Sequence, residues 1–130
     1  MILRQWFEQV WNKSNEAAVD ELLAPDVIIH NLLGGNGERT MDLATFKRLF
    51  WAMRSELSEV QVTTEHELVD GDMTAARCVI RAIHHGTGPD ERPRNLPIHF
   101  TGMAMVKVRD GKIVESWNHF DFEAMYQQME

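Results

Sequence analysis

Cysteine is nearly absent: Cys78 is the only one in 130 residues. An intrachain disulfide is impossible, and a four-thiolate zinc site is excluded. In its alternating apolar stretch Cys78 reads as a small buried hydrophobe. Positive charge is also scarce. Lys and Arg number 13 against 20 Asp and Glu, for a net charge of −7, which argues against a general nucleic-acid or anionic-membrane surface. No apolar run reaches signal-peptide or membrane length. A cytosolic protein with neither nucleic acid nor membrane as partner is expected. There is no His-x-His, no HExxH and no thiolate cluster. The pair His84–His85 points to opposite faces of a strand, so a zinc or iron site would need distant histidines to converge. No metal is expected.

What is present suits one globular domain spanning residues 1–130, with 44% hydrophobic residues to fill one core. Leu3, Trp6, Phe7, Val10 and Trp11 fall on one helical stripe. A second helix follows in "SNEAAVDELLAPD", capped by Ser14 or Asn15, with Leu22 and Leu23 inward and Pro25 as its stop. "DVIIHNLL" reads as one early strand and "GGNG" as a break. A third helix reads from Thr40, with Asp42 in its first turn and Leu43, Phe46, Leu49, Phe50 and Met53 as its stripe. Trp6, Trp11 and Trp51 are read as helix packing.

After Ser58 the period becomes two. "VQVTTEHELV", "MTAARCVIRAIHH", "IHFTGMAMVKV" and "GKIVESWNHFD" alternate, joined by the turns "DGD" and "RDGK" and by a polar loop, "GTGPDERPRN". "FEAMYQQME" closes as a short helix. Helices first and strands later imply an α+β fold rather than a parallel sheet. A twisted antiparallel sheet wrapped over helices leaves a cone-shaped cavity, the default place for a small-molecule ligand.

The stretch "FTGMAMVKVRDGKIVESWNHFDFEAMYQQ", Phe100 to Gln128, resembles the SnoaL-like polyketide cyclase family within the nuclear-transport-factor-two-like superfamily. Gly102, the turn from Asp110 to Ile113, Glu115, Trp117, Asp121 and the glutamines 127 and 128 carry the resemblance. "LLAPDVIIHN" and "GDMTAARCVIRAIHHG" echo it. Two departures stand out. "RSELSEVQV" replaces a Phe-Pro-Asp-like junction, and "GPDERPRNLP" replaces a loop ending in a PPTG-type motif. The second loop shapes the pocket mouth in the family, so substrate identity does not carry over. The superfamily hosts many chemistries on one fold.

Read as an unbroken strand, "GKIVESWNHFD" puts Ile113, Glu115, Trp117, His119 and Asp121 on one face. An acid beside an indole in a cavity would be desolvated and become a better base. The resemblance implies that Asp121 is the acid/base of an aldol-type cyclisation needing no cofactor. The competing reading is that Asp121 caps the helix after it. His30, which the match puts at the pocket, His84 and His99 either polarise a substrate carbonyl or are ordinary buried and rim histidines. Asp121, His30 and His84 are the catalytic candidates. Trp117, Asn31, His99 and Phe100 are the substrate-binding candidates.

Other chemistries of the superfamily fit less well. A ketosteroid-isomerase-like site wants an aspartate near Asn31 and an early tyrosine, but the only tyrosine is Tyr126. An epoxide-hydrolase-like Arg-x-Asp pair is lacking, since Asp110 belongs to a turn. A dehydratase reading has the histidines but lacks the tyrosines that would hold a water, and it stays a minor option. The rival from another class is a non-enzymatic ligand-binding or dimerisation module. A homodimer is expected on either reading. Phe100, Gly102, Ala104 and Val106 face one side of the sheet, and Met103 and Met105 would leave an apolar patch on the other. The resemblance also implies dimers.

Overall fold

The computed structural model of the chain describes residues 1–34, 39–87 and 93–129. α1, Ile2–Trp6, runs without a break into a π-helical turn, Phe7–Asn12. Leu3, Trp6, Phe7 and Val10 on this segment are buried. Trp11 meets Phe50 edge-on with ring centroids 5.4 Å apart. α2, Glu16–Leu22, follows Asn15 at its N-cap. Pro25 does not stop this helix: the backbone is already extended at Leu23, and Pro25 lies inside β1, Leu23–His30. Its missing N–H does no harm there, because the β1 register jumps from Leu23 to Ile28 and skips it.

The third helix begins later than its periodicity suggests. Thr40–Met41 form a two-residue strand, β2, paired with β1. α3, Leu43–Glu56, starts where the Asp42 carboxylate accepts a 2.8 Å hydrogen bond from the Thr45 N–H. Phe46 and Phe50 are its buried anchors. Trp51 is not packing as expected. It is 55% exposed, with the Arg54 guanidinium 4.9 Å from its ring. Of the expected break "GGNG", Gly34 is described and residues 35–37 lie outside the described residues.

The four long strands are β3, Leu57–Asp70, β4, Met73–Thr87, β5, Pro93–Arg109, and β6, Lys112–Phe120. Sheet order is β2-β1-β6-β5-β4-β3. The run β3-β4-β5-β6 is the expected antiparallel meander. β1 joins it parallel to β6, so the sheet is mixed at that one seam. Asp110 and Gly111 both have positive φ between paired Arg109 and Lys112, the form that suits a two-residue hairpin. β4 and β5 stay in register through Thr87 and Pro93, so the strands extend into the stretch "GTGPDERPRN" expected as a loop. Its residues 88–92 lie outside the described residues. The chain closes with α4, Phe122–Gln128.

One face of the meander, with Ala76, Cys78, Ile80, Phe100, Ala104 and Val106, packs under the helices as the core. The Cys78 thiol is fully buried and donates to the Gly102 carbonyl at 3.6 Å. Gly102 has no room for a side chain, because a Cβ there would sit 2.2 Å from the Phe120 ring. Among the described residues, no helix is long and apolar enough to cross a membrane.

Candidate functional site: an apolar cavity under the sheet

The last strand decides what faces the core. Between the pairs Lys107–Glu115 and Val108–Ile113 the register slips, so β6 spends one extra residue at Val114. Such a bulge reverses the side-chain alternation beyond it. Ile113 points inward before it, and Ser116, Asn118 and Phe120 point inward after it. Glu115, Trp117 and His119 turn to the outer face. The expected face Ile113–Glu115–Trp117–His119–Asp121 therefore does not exist.

Beneath the sheet lies a cavity of about 90 Å³. Trp6, Trp11 and Phe46 wall it from the helices, and Ile29, Ile80 and Phe100 from the sheet. Ser116 and Asn118 bring its polar side chains, at 8% and 7% exposure. The Asn118 Nδ2 donates to the His30 carbonyl at 3.0 Å and to the Ser116 Oγ at 3.2 Å. Both amide protons are thus used. The Asn118 Oδ1 accepts no bond among the described residues, and the Ser116 hydroxyl proton remains available to a ligand.

The candidates named from sequence scatter around this cavity. Phe100 lines it. Asp121 is exposed and does not. Its Oδ1 accepts a 3.0 Å bond from the Ala124 N–H, which makes it the N-cap of α4. Its backbone neighbours Phe120 and Phe122 do reach the cavity wall. His30 faces outward, with Nε2 at 2.7 Å from a Glu115 carboxylate oxygen and its ring stacked on Trp117 at 5.3 Å. The His30 Nδ1 is buried with no partner among the described residues. Trp117 thus packs on His30 rather than lining the cavity. Asn31 takes a left-handed conformation, φ 56°, and its Nδ2 donates to the Asn118 carbonyl at 3.1 Å. His84 continues the inward face of β4 past Ala82, half-buried and outside the cavity lining. His99 is exposed. The Gln128 amide clamps its backbone, accepting from its N–H at 2.9 Å and donating to its carbonyl at 2.6 Å.

Sequence reasoning missed Ser116 and Asn118. Their trace is the apolar neighbours Ile113 and Val114, which break the alternation just before them.

Helices packed under a curved, mostly antiparallel sheet, with an apolar cavity between them, make an α+β fold. The chain belongs to the SnoaL-like polyketide cyclase family, whose sequence profile matches residues 1–129. IdmH of Streptomyces antibioticus, described as a candidate polyketide cyclase, is 26% identical, with a TM-score of 0.85 over 98% of this chain and 94% of that one. A candidate polyketide cyclase from Acidithiobacillus ferrooxidans shares the fold at 23% identity and TM-score 0.79, over 98% and 91% of the two chains. An epoxide hydrolase of M. tuberculosis, described as LEH-like, shares it at 19% identity and TM-score 0.71, over 97% and 85%. No curated protein matches the chain.

Proposed function

We propose that the chain holds a hydrophobic carbonyl compound in this cavity. The carrying observation is the confinement of polar lining side chains to Ser116 and Asn118 in an otherwise apolar wall. The Ser116 hydroxyl donates to the ligand carbonyl, while the Asn118 amide holds that hydroxyl in place. Such a site needs no cofactor. Relatives described as polyketide cyclases support a carbonyl-rich ligand.

Binding is the reading that the position of Asp121 favours, since its carboxylate is exposed and caps α4. A second reading rests on family membership and on Phe120 and Phe122, which bracket Asp121 at the cavity wall. In that reading Asp121 removes a proton from carbon beside the carbonyl and returns one to the new alkoxide, without a cofactor. His30 is engaged by Glu115 on the other face of the sheet, which leaves the Ser116 hydroxyl as the donor to the enolate oxygen.

Calorimetry with 2-acetylnaphthalene tests the binding reading. Ser116→Ala should weaken affinity roughly five- to tenfold, the worth of one net hydrogen bond. Equal affinity in both proteins would overturn it. Asp121 needs two substitutions, because asparagine caps a helix about as well as aspartate. Asp121→Ala should lower stability by about 1 kcal/mol, and Asp121→Asn should leave both stability and binding intact. A loss of turnover of roughly a hundred- to ten-thousand-fold in Asp121→Asn, on a polycarbonyl substrate, would establish the catalytic reading instead.

A further inference from the structure

The cavity is too small for the ligands its family suggests. An apolar cavity of about 150 Å³ holds one benzene, and this one measures about 90 Å³. Ligand pockets start at roughly 300 Å³. A larger ligand has to extend beyond the cavity, and a groove among the described residues adjoins it.

Next to the cavity lies a groove of about 280 Å³, between the end of the π-helical turn, the end of α3 and the start of β3. Trp11, Met53, Leu57 and Val60 line both spaces. All four are half-buried. A single layer of side chains therefore separates cavity from groove, and cavity and groove together reach the size of an ordinary ligand site.

The groove differs in chemistry. Asn12, Ser14, Arg54, Ser58, Glu59 and Gln61 stand on its walls. Several of these are already engaged. The Asn12 amide bonds both backbone groups of Val62, and the Ser58 hydroxyl is bonded to His85. The Arg54 guanidinium pairs with Glu16 at 2.8 Å and lies 5.4 Å from the Phe50 ring centroid. With Glu16 matching Arg54 and Glu59 adding a negative charge, the groove has no surplus of positive charge for a carboxylate or phosphate.

The backbone supplies an independent sign. Among the described residues, four non-glycine residues have positive φ. Asn31 is of a type that tolerates the left-handed region, and Asp110 lies in the β5–β6 hairpin turn. The other two, Ser14 at 53° and Glu59 at 52°, both line this groove. Glu59 lies in the bulge between the paired residues Ser58 and Gln61. Backbone strain and bulges gather at functional sites.

We propose that this groove is a second subsite, which takes the uncharged hydrogen-bonding end of a ligand whose flat apolar body spans cavity and groove past Trp11, Met53, Leu57 and Val60. The inference rests on the ligand-pocket reading above and adds the ligand's polarity pattern to it. The Ser14 hydroxyl and the guanidinium N–H groups not bonded to Glu16 are the donors that meet that end.

Four naphthalenes test it by calorimetry: 1-methylnaphthalene, 1-naphthaleneacetamide, 1-naphthaleneacetate and 2-(1-naphthyl)ethylamine. The acetamide should bind five- to tenfold more tightly than 1-methylnaphthalene, about one net hydrogen bond, and more tightly than either charged analogue. In the double variant Ser14→Gly, Arg54→Met the ratio of the two neutral ligands' Kd values should fall toward one. Glycine suits the left-handed position, and Arg54 forms an exposed ion pair, so the variant should fold. A tighter carboxylate or amine would overturn the proposal, as would an acetamide with no advantage or a ratio unchanged in the variant. If 1-methylnaphthalene itself does not bind, the cavity reading fails and this inference fails with it.

Discussion

At the scale of single residues, the same side-chain type takes its role from its surroundings. Asp42 and Asp121 both end a segment and begin a helix, and each accepts from an N–H three residues on. That bond to the Thr45 N–H holds the Asp42 carboxyl below its usual value. Cys78 shows the opposite push. Burial drives its thiol up to about 11 from an ordinary 9.0, with the Arg77 guanidinium opposing. A raised thiol value means that the folded state keeps its proton while the unfolded chain loses it. The contribution is complete below pH 9 and is lost as pH rises from about 9 to 11. Two outcomes follow. In thermal melts over that interval Cys78→Ala should lose less stability than the wild type. At pH 8 the native thiol should resist an aromatic disulfide reagent and react only when guanidinium unfolds the chain.

At the scale of elements, one extra residue in β6 chooses the chemistry of the cavity. With Val114 in the bulge, the small polar pair Ser116 and Asn118 faces inward, and Trp117 goes outward to stack on His30. Removing Val114 would turn the bulge into regular pairing, with Ile113 still opposite Val108 and Glu115 still opposite Lys107. Ser116 and Asn118 would therefore still face inward and Trp117 outward, because the register on either side is unchanged. We expect the Val114 deletion to fold and to cost roughly 1 to 3 kcal/mol, the ordinary range of a local change. Chemical denaturation measures this directly. A loss above about 4 kcal/mol would show that the bulge does more than set the facing of β6.

At the scale of the whole molecule, the helices cover one face of the sheet, and the other face carries apolar side chains among charged ones such as Arg81 and Lys107. Ile28, Met103 and Met105 are 46%, 57% and 40% exposed. Met105 pairs with Trp117 across β5 and β6, which joins them into one patch. A patch of this kind on a monomer calls for a partner, and we propose a second copy of the chain, face to face. Sedimentation at micromolar concentration should give twice 15.0 kDa, and Met105→Asp should return the monomer mass. A wild-type protein that sediments as a monomer would refute this.

Local pattern determined much of this protein. The stripe of α1, the Asp-Gly hairpin, the alternation of β4 and β5, and the burial of Cys78 depend on neighbours two to four residues away, and these are legible in a one-dimensional string. The family was legible too, because its marks cluster between Phe100 and Gln128. Tertiary structure decided the rest. Whether Pro25 ends a helix or lies in a strand depends on β6 leaving that stretch of β1 unpaired. Whether Trp117 or Ser116 enters the cavity depends on how β6 pairs with β5, since a bulge exists only between two strands. The place of Asp121 depends on the same pairing and on the helix that begins after it. Facing is a property of strand pairs and packed layers, and the candidate site of this protein is made of facing.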